Sequence, residues 1–271
     1  MLAFGTVSAQ DSSSLKFGPT RKSEFKISGQ TNAFVIGVSG LNICDFQENG
    51  NHFDFQHPRI IDAEKSDENK NDDLWCEQLT NANQLAFGGW ARLAGFKNED
   101  DIADMLRKNP SILDKTDVYS FVFSRIPKNK YKLDDYQKMF RMVANDGKSL
   151  RARNAMGQVD DFLRAGNGSI YLQLDFGQYG QRKTGSHAIT MYGFTYSQKY
   201  KRHDPRYYTG VIVSDSDNHK RHAAGTGREA PNSMTIIPIA WDPVNCIYTF
   251  DKPSRGYIRF LYGLKGVPMK K

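Results

Sequence analysis

In residues 71-NDDLWCEQLTNANQL-85, a polar, acidic run gives way to a helical pattern at Cys76. After the thiol, Leu79 and Asn83 belong to a series at steps of three and four residues that reaches Leu93, which predicts one face of a helix. The start of a helix carries a positive partial charge, and this charge favours the thiolate form of a cysteine. Cys76 is therefore a candidate nucleophile, with the alternative that it is a small buried residue, as free cysteines more often are.

Two later stretches supply the partners that a nucleophilic cysteine needs. His187 lies in 185-GSHAITMYG-193, a strand pattern that places it on one face with Ile189. Asp215 and Asp217 follow an apolar run and, two residues apart, project to one side of a strand at a spacing of about 7 Å. An imidazole stabilises the thiolate and later protonates the leaving amine, while a carboxylate orients the imidazole. The order Cys, His, Asp predicts a cysteine protease, although His187 by itself equally fits a structural histidine.

Two lysines, Lys65 and Lys70, come shortly before Cys76. A cation near the thiol favours the thiolate and stabilises the negative oxygen that develops on the scissile carbonyl. The backbone N–H of Cys76 would be the second donor to that oxygen. For each lysine alone, a solvated surface position is the default interpretation.

Metal binding is the competing interpretation of the acidic run 215-DSDN-218. In a calcium-binding EF-hand loop the next two positions hold an oxygen ligand and a glycine, but His219 and Lys220 stand there. His219 and His222 have the spacing of zinc ligands, but no cysteine or carboxylate pattern accompanies them. We therefore expect neither a metal nor a cofactor.

Length, charge and composition restrict the class of protein. The 271 residues carry a formal charge of +7, and 39% of them are apolar, which predicts a folded chain with a hydrophobic core. The densest basic run, residues 199–206, has no recognition motif beside it, so we interpret it as a solvated loop and expect no nucleic-acid partner. No apolar run reaches the roughly 18 residues of a membrane span.

Residues 1–20 are interpreted as a leader. The apolar start of the chain ends in Val-Ser-Ala at positions 7–9, which resembles the end of a signal peptide that lacks its basic region. The alternative is an ordinary unstructured N-terminus. A signal peptide predicts a secreted protein or one of the cell envelope or periplasm. If Cys76 is the free nucleophile, an oxidising compartment would permit Cys44 and Cys246 to pair.

Periodicity divides the rest of the chain into a helical part and a strand-rich part. Beyond the helix at Cys76, further helices are predicted at Asn98–Lys108, Leu133–Ala144 and Met156–Ala165. Strands are predicted around residues 34–38 and, after the helices, at 169–176, 185–193, 211–218, 234–239, 246–250 and 257–262. We expect an α+β fold in which a helical half carries Cys76 and an antiparallel sheet half carries His187 and the two aspartates. The site is then expected in the cleft between the halves.

Three of these segments resemble the papain-like endopeptidases typified by the streptococcal immunoglobulin G-degrading cysteine protease. The resemblance depends on Asp72-Asp73-Leu74-x-Cys76, with Thr80, Asn83 and Leu85 at matching offsets. It also depends on the His187 strand and on Val213-Ser214-Asp215-Ser216-Asp217.

The resemblance implies a papain-like peptidase domain over residues 21–271 that hydrolyses peptide bonds of a protein substrate. It implies that Cys76 is the nucleophile, His187 the base, Asp215 the orienting carboxylate and Asp217 a supporting carboxylate. The glutamine that precedes the nucleophile in typical papains, and their Asn-Ser-Trp segment, have no clear match.

The resemblance also implies a lysine in the oxyanion hole, carried to Lys65 through the pattern Asp62-x-x-Lys65. Relative to the family pattern, this placement requires the segment before Cys76 to differ in length by one residue, so Lys70 is the alternative. Immunoglobulin is a candidate substrate. However, the segment between Cys76 and His187, which would carry the recognition surface, is shorter than in the streptococcal type. The alternatives are an amidase or transamidase effector with the same triad, and a non-catalytic module that binds a host protein.

Overall fold

The structure is a computed structural model, which describes residues 21–37, 52–53, 76–97, 99–127, 130–141, 154–165, 168–214, 234–251 and 255–268. Within these residues it contains eleven β-strands and five α-helices. The mixture confirms the α+β class. No helix in the described part of the chain is both long enough and apolar enough to cross a membrane.

The bounds of the elements are as follows. The strands are β1 (Arg21–Ser28), β2 (Thr31–Gly37), β3 (His52–Phe53), β4 (Gln137–Arg141), β5 (Gly168–Phe176), β6 (Gly185–Ser197), β7 (Tyr208–Ser214), β8 (Met234–Pro238), β9 (Ala240–Asp242), β10 (Ile247–Phe250) and β11 (Gly256–Lys265). The helices are α1 (Cys76–Phe87), α2 (Trp90–Leu93), α3 (Glu99–Lys108), α4 (Val118–Arg125) and α5 (Ala155–Ala165).

The described strands form one curled antiparallel sheet. Its order is β3-β8-β7-β6-β5-β11-β10-β9, with β2 on β6, β1 on β2 and β4 on β11. The long strand β6 therefore pairs with three others, β5, β7 and β2. Gly193 permits the approach of β2, because a Cβ at this position would overlap the carbonyl oxygen of Phe34.

Two clusters of buried side chains form the core. The sheet core joins the strands to α5, and its members include Leu172, Ile189 and Leu163. The helical core joins α1 to α4 around Trp90, and Leu264 of β11 is its buried member from the sheet. Helix α1 packs on α2, α3 and α4 and also on β5 and β6, so it connects the two parts.

The predicted helix Leu133–Ala144 is wrong. A short 3₁₀ turn at Leu133–Asp135 precedes β4, which pairs with residues 260–264 of β11. Phe140 is buried and meets the ring of Phe162 with the centroids 5.7 Å apart. Pairing with β11 and burial against α5 therefore outweigh the local helical pattern.

The helix that begins at Cys76 ends earlier than its pattern predicts. Gly88 and Gly89 interrupt it, and Gly89 has the positive φ of 82° that glycine adopts without strain. The chain then resumes as α2, whose Leu93 is 39% exposed, so the predicted apolar face does not extend to this residue.

Candidate active site

The thiol of Cys76 lies at the start of α1. Cys76 is the first residue of the helix, as its pattern predicts, and it is partly buried and free. Glu77 follows it in the first turn, where a carboxylate is favoured by the helix dipole. The thiol therefore lies at the end of the helix whose backbone N–H groups have no acceptor within the helix.

Helix α1 is fixed to the sheet by a buried amide. Gln84 Nε2 donates to the carbonyl oxygen of Ser169 at 2.7 Å and to that of Tyr262 at 3.2 Å. Gln84 Oε1 accepts a hydrogen bond from the hydroxyl of Tyr119 on α4. At the end of the helix, Phe87 meets the ring of a tyrosine in β6. These contacts fix α1 across β5 and β6.

Tyr171 on β5 lies near the first turn of α1. Burial raises the pKa of Tyr171, and the nearby side chains of Glu77 and Cys76 raise it further. The phenol therefore stays protonated beside the thiol, and its hydroxyl donates to Gln173 Oε1 at 2.7 Å. The sequence analysis missed this residue, because its proximity to Cys76 comes from the packing of α1 on β5.

His187 lies near the start of β6, the strand on which α1 packs. It is partly buried and pairs with Leu174 across the sheet, while Ile189 pairs with Leu172. The strand predicted around His187, and its shared face with Ile189, are thus confirmed. Tyr171, next to Cys76, pairs with Thr190, so it lies on the face of the sheet opposite to that of His187 and Ile189. The structure therefore packs the helix of Cys76 on the strand of His187, but on the face of the sheet opposite to the one from which His187 projects.

The remaining predicted site residues lie outside the described residues. β7 ends at Ser214, which pairs with Thr190 of β6, one residue before Asp215. Asp217, Lys65, Lys70 and Cys44 also lie outside the described residues. Cys246 is described as a free thiol, and its Sγ lies 3.7 Å from the carbonyl oxygen of Pro243.

Among the described residues, no group of three His, Cys, Asp or Glu side chains has the geometry to hold a metal ion. A cavity of about 560 Å³ lies between α5, β4 and the end of β11, where Tyr136 and Phe162 line it. This cavity is separate from the surroundings of Cys76.

No protein-family model matches this chain, and no curated protein is significantly similar to it.

Proposed function

We propose that the protein is a cysteine endopeptidase with a papain-like arrangement of its two parts. The observation that carries the proposal is the position of Cys76, which is the first residue of a helix packed on the strand of His187. A free, partly exposed thiol at a helix start is the environment that favours a reactive thiolate. The resemblance of the three sequence segments supports the same class.

In the proposed reaction, His187 takes the proton of Cys76, and the thiolate attacks the carbonyl carbon of the scissile peptide. The C–N bond breaks as His187 returns the proton to the leaving amine, which leaves an acyl-enzyme on the sulfur. A water molecule, deprotonated by His187, then hydrolyses the thioester. Asp215 orients the imidazole and Asp217 supports it.

The negative oxygen of each tetrahedral intermediate needs two donors. We assign the backbone N–H of Cys76 as one and the ammonium of Lys65 as the other, with Lys70 as the rival. No step requires a metal or a cofactor.

The proposed substrate is a polypeptide, and the proposed location is outside the cell or in the cell envelope. Immunoglobulin G is a candidate because of the family resemblance. The short segment between Cys76 and His187 argues against immunoglobulin G, because it supplies less recognition surface. A specific protein interface buries on the order of 800 Å² on each partner.

The test is to incubate the purified protein with intact immunoglobulin G and with an unfolded protein, and to map the fragments by mass. The Cys76→Ala variant is the control for contaminating proteases. We expect cleavage of polypeptide by the native protein alone, and a single cut in the lower hinge would make immunoglobulin G the substrate. A native protein that cuts neither substrate, yet reacts at Cys76 with a thiol-directed inhibitor, would favour the amidase alternative.

A further inference from the structure

Four basic residues lie at the end of the sheet where β5 turns into β6. Arg182 and Lys183 lie in the β5–β6 loop, Arg255 directly precedes β11 and Arg259 lies near the start of that strand. The two segments are joined directly, because the N–H of Gly177 donates to the carbonyl oxygen of Arg255 at 2.9 Å. We call these four side chains the basic patch.

One buried carboxylate holds half of the basic patch in place. Asp175 is 2% exposed, and its Oδ2 accepts a hydrogen bond from the hydroxyl of Tyr257 at 3.2 Å. Arg259 Nη1 lies 3.5 Å from the same oxygen. Lys183 Nζ lies 3.1 Å from Oδ1 of the same carboxylate. Both cations remain partly exposed, at 38% and 51% of their side chains.

The other half of the basic patch is free to bind a ligand. Arg182 and Arg255 are exposed, and within the part of the chain that the structure describes neither forms an ion pair with a carboxylate. Between the cations, the rings of Tyr179 and Tyr257 meet edge to face with their centroids 5.2 Å apart. The surface therefore offers unpaired guanidinium groups beside aromatic contact area.

The basic patch lies next to the strand position of His187. Asp175 pairs with Ser186, the residue before His187, and Lys183 lies four residues before His187 in the chain. Four residues span at most about 13 Å of extended chain. On β5, Tyr171 beside Cys76 and Asp175 beneath the patch lie on the same face four residues apart, so a peptide cut at Cys76 would reach the patch within a few residues of its scissile bond.

We propose that the basic patch is a substrate-binding site for an acidic segment of the polypeptide close to the cleaved bond, an inference that rests on the proposed function. Guanidinium groups bind carboxylates through paired, charge-assisted hydrogen bonds, and the unpaired arginines are placed to do this. Nucleic acid fits less well, because two of the four cations already share Asp175 and the tyrosine rings pack on each other instead of presenting parallel faces to bases.

The test measures binding in the Cys76→Ala protein, so that it does not depend on hydrolysis. The probes are a fluorescent glutamate-rich peptide, its glutamine counterpart and a single-stranded oligonucleotide, followed by fluorescence anisotropy. We compare the parent protein with Arg182→Gln/Arg255→Gln and with the matched control Lys22→Gln/Lys26→Gln, which removes two exposed cations of β1.

We expect the glutamate peptide to bind more tightly than the glutamine peptide, and to bind about fivefold to tenfold more weakly after loss of the two arginines. The β1 control should bind like the parent protein, and added salt should weaken binding. Equal binding by the arginine variant and the control, or tighter binding of the oligonucleotide than of the peptide, overturns the proposal. If the peptide binds at the arginines but the native protein hydrolyses nothing, the binding site stands and the proposed peptidase activity fails.

Discussion

The side chain of Gln84 donates a hydrogen bond from Nε2 to the carbonyl oxygen of Ser169 at 2.7 Å, deep inside the molecule. This contact joins the helix that begins with Cys76 to strand β5, beside the strand that carries His187. Because Gln84 is fully buried and also accepts from Tyr119, each of its polar atoms has a partner. This amide therefore contributes, together with the apolar packing of α1, to the position of the proposed nucleophile.

Replacing Gln84 with alanine should lower the free energy of unfolding by about 2–4 kcal/mol, because the change leaves the hydroxyl of Tyr119 and a carbonyl oxygen of β5 buried without a partner. Urea unfolding followed by tryptophan fluorescence measures this loss. The control is Gln158→Ala, which changes an exposed glutamine of α5 and should have little effect. Equal loss in the two variants would contradict the assigned role of Gln84.

A second buried polar group holds α5 to the loop before β7. Asp160 is fully buried and accepts hydrogen bonds from Arg164 Nε at 2.6 Å, Arg202 Nε at 2.8 Å and the hydroxyl of Tyr208 at 3.0 Å. Burial and the charge of Asp160 raise the pKa of Tyr208, so this hydroxyl remains a donor.

We expect Asp160→Asn to destabilise the protein by about 1–3 kcal/mol, because its amide N–H groups would face the donors of Arg164, Arg202 and Tyr208 in place of a buried acceptor. The neighbouring variant Asp161→Asn is the matched control. Asp161 pairs with Arg202 and His203, but its side chain is 54% exposed, so its loss should cost less than about 1 kcal/mol. Thermal unfolding measures the loss of stability in the two variants, and a larger loss for Asp161→Asn would refute this explanation.

Most of the fold can be predicted from local sequence, but not all. The strands β5, β6 and β7 and the helix α5 follow from apolar runs and periodicity. Helix α4 was missed, because its sequence VYSFVFSR is rich in aromatic and β-branched residues, as strands are. Asp117 starts this helix by accepting a hydrogen bond from the N–H of Ser120 at 2.8 Å.

Local sequence likewise predicts only part of the candidate site. The position of Cys76 at a helix start is encoded within a dozen neighbouring residues, so the sequence predicts it. Tyr171 and the basic patch come from strands and loops that are distant in the chain. Their proximity depends on pairs such as Asp175 with Ser186 and Tyr171 with Tyr262, which no local pattern specifies.

The triad predicts an order of losses in activity. His187→Ala should lower kcat/KM by at least about a hundredfold, and nearly as far as Cys76→Ala, because the members of a catalytic unit are not additive. Asp215→Ala should lower kcat/KM by a smaller factor, and Asp217→Ala by a smaller factor still. Peptide hydrolysis by the purified variants measures the order. A greater loss in Asp217→Ala than in Asp215→Ala would move the orienting role to Asp217.

The proposed oxyanion hole predicts a difference between two lysines. Lys65→Ala should lower kcat about a hundredfold with little change in KM, as the loss of one oxyanion donor does. Lys70→Ala is the paired variant and should retain activity. Steady-state kinetics on one peptide substrate separates them, and the reverse pattern would transfer the role to Lys70.

The proposed role of Cys76 as the nucleophile is tested by its modification with a peptidyl epoxide, which is read by intact mass and peptide mapping. We predict one adduct, located on Cys76, with simultaneous loss of hydrolysis. The same treatment of the His187→Ala variant should label Cys76 far more slowly, because the imidazole stabilises the thiolate. Labelling of Cys246 or Cys44 in preference to Cys76, with hydrolysis intact, would contradict the claim.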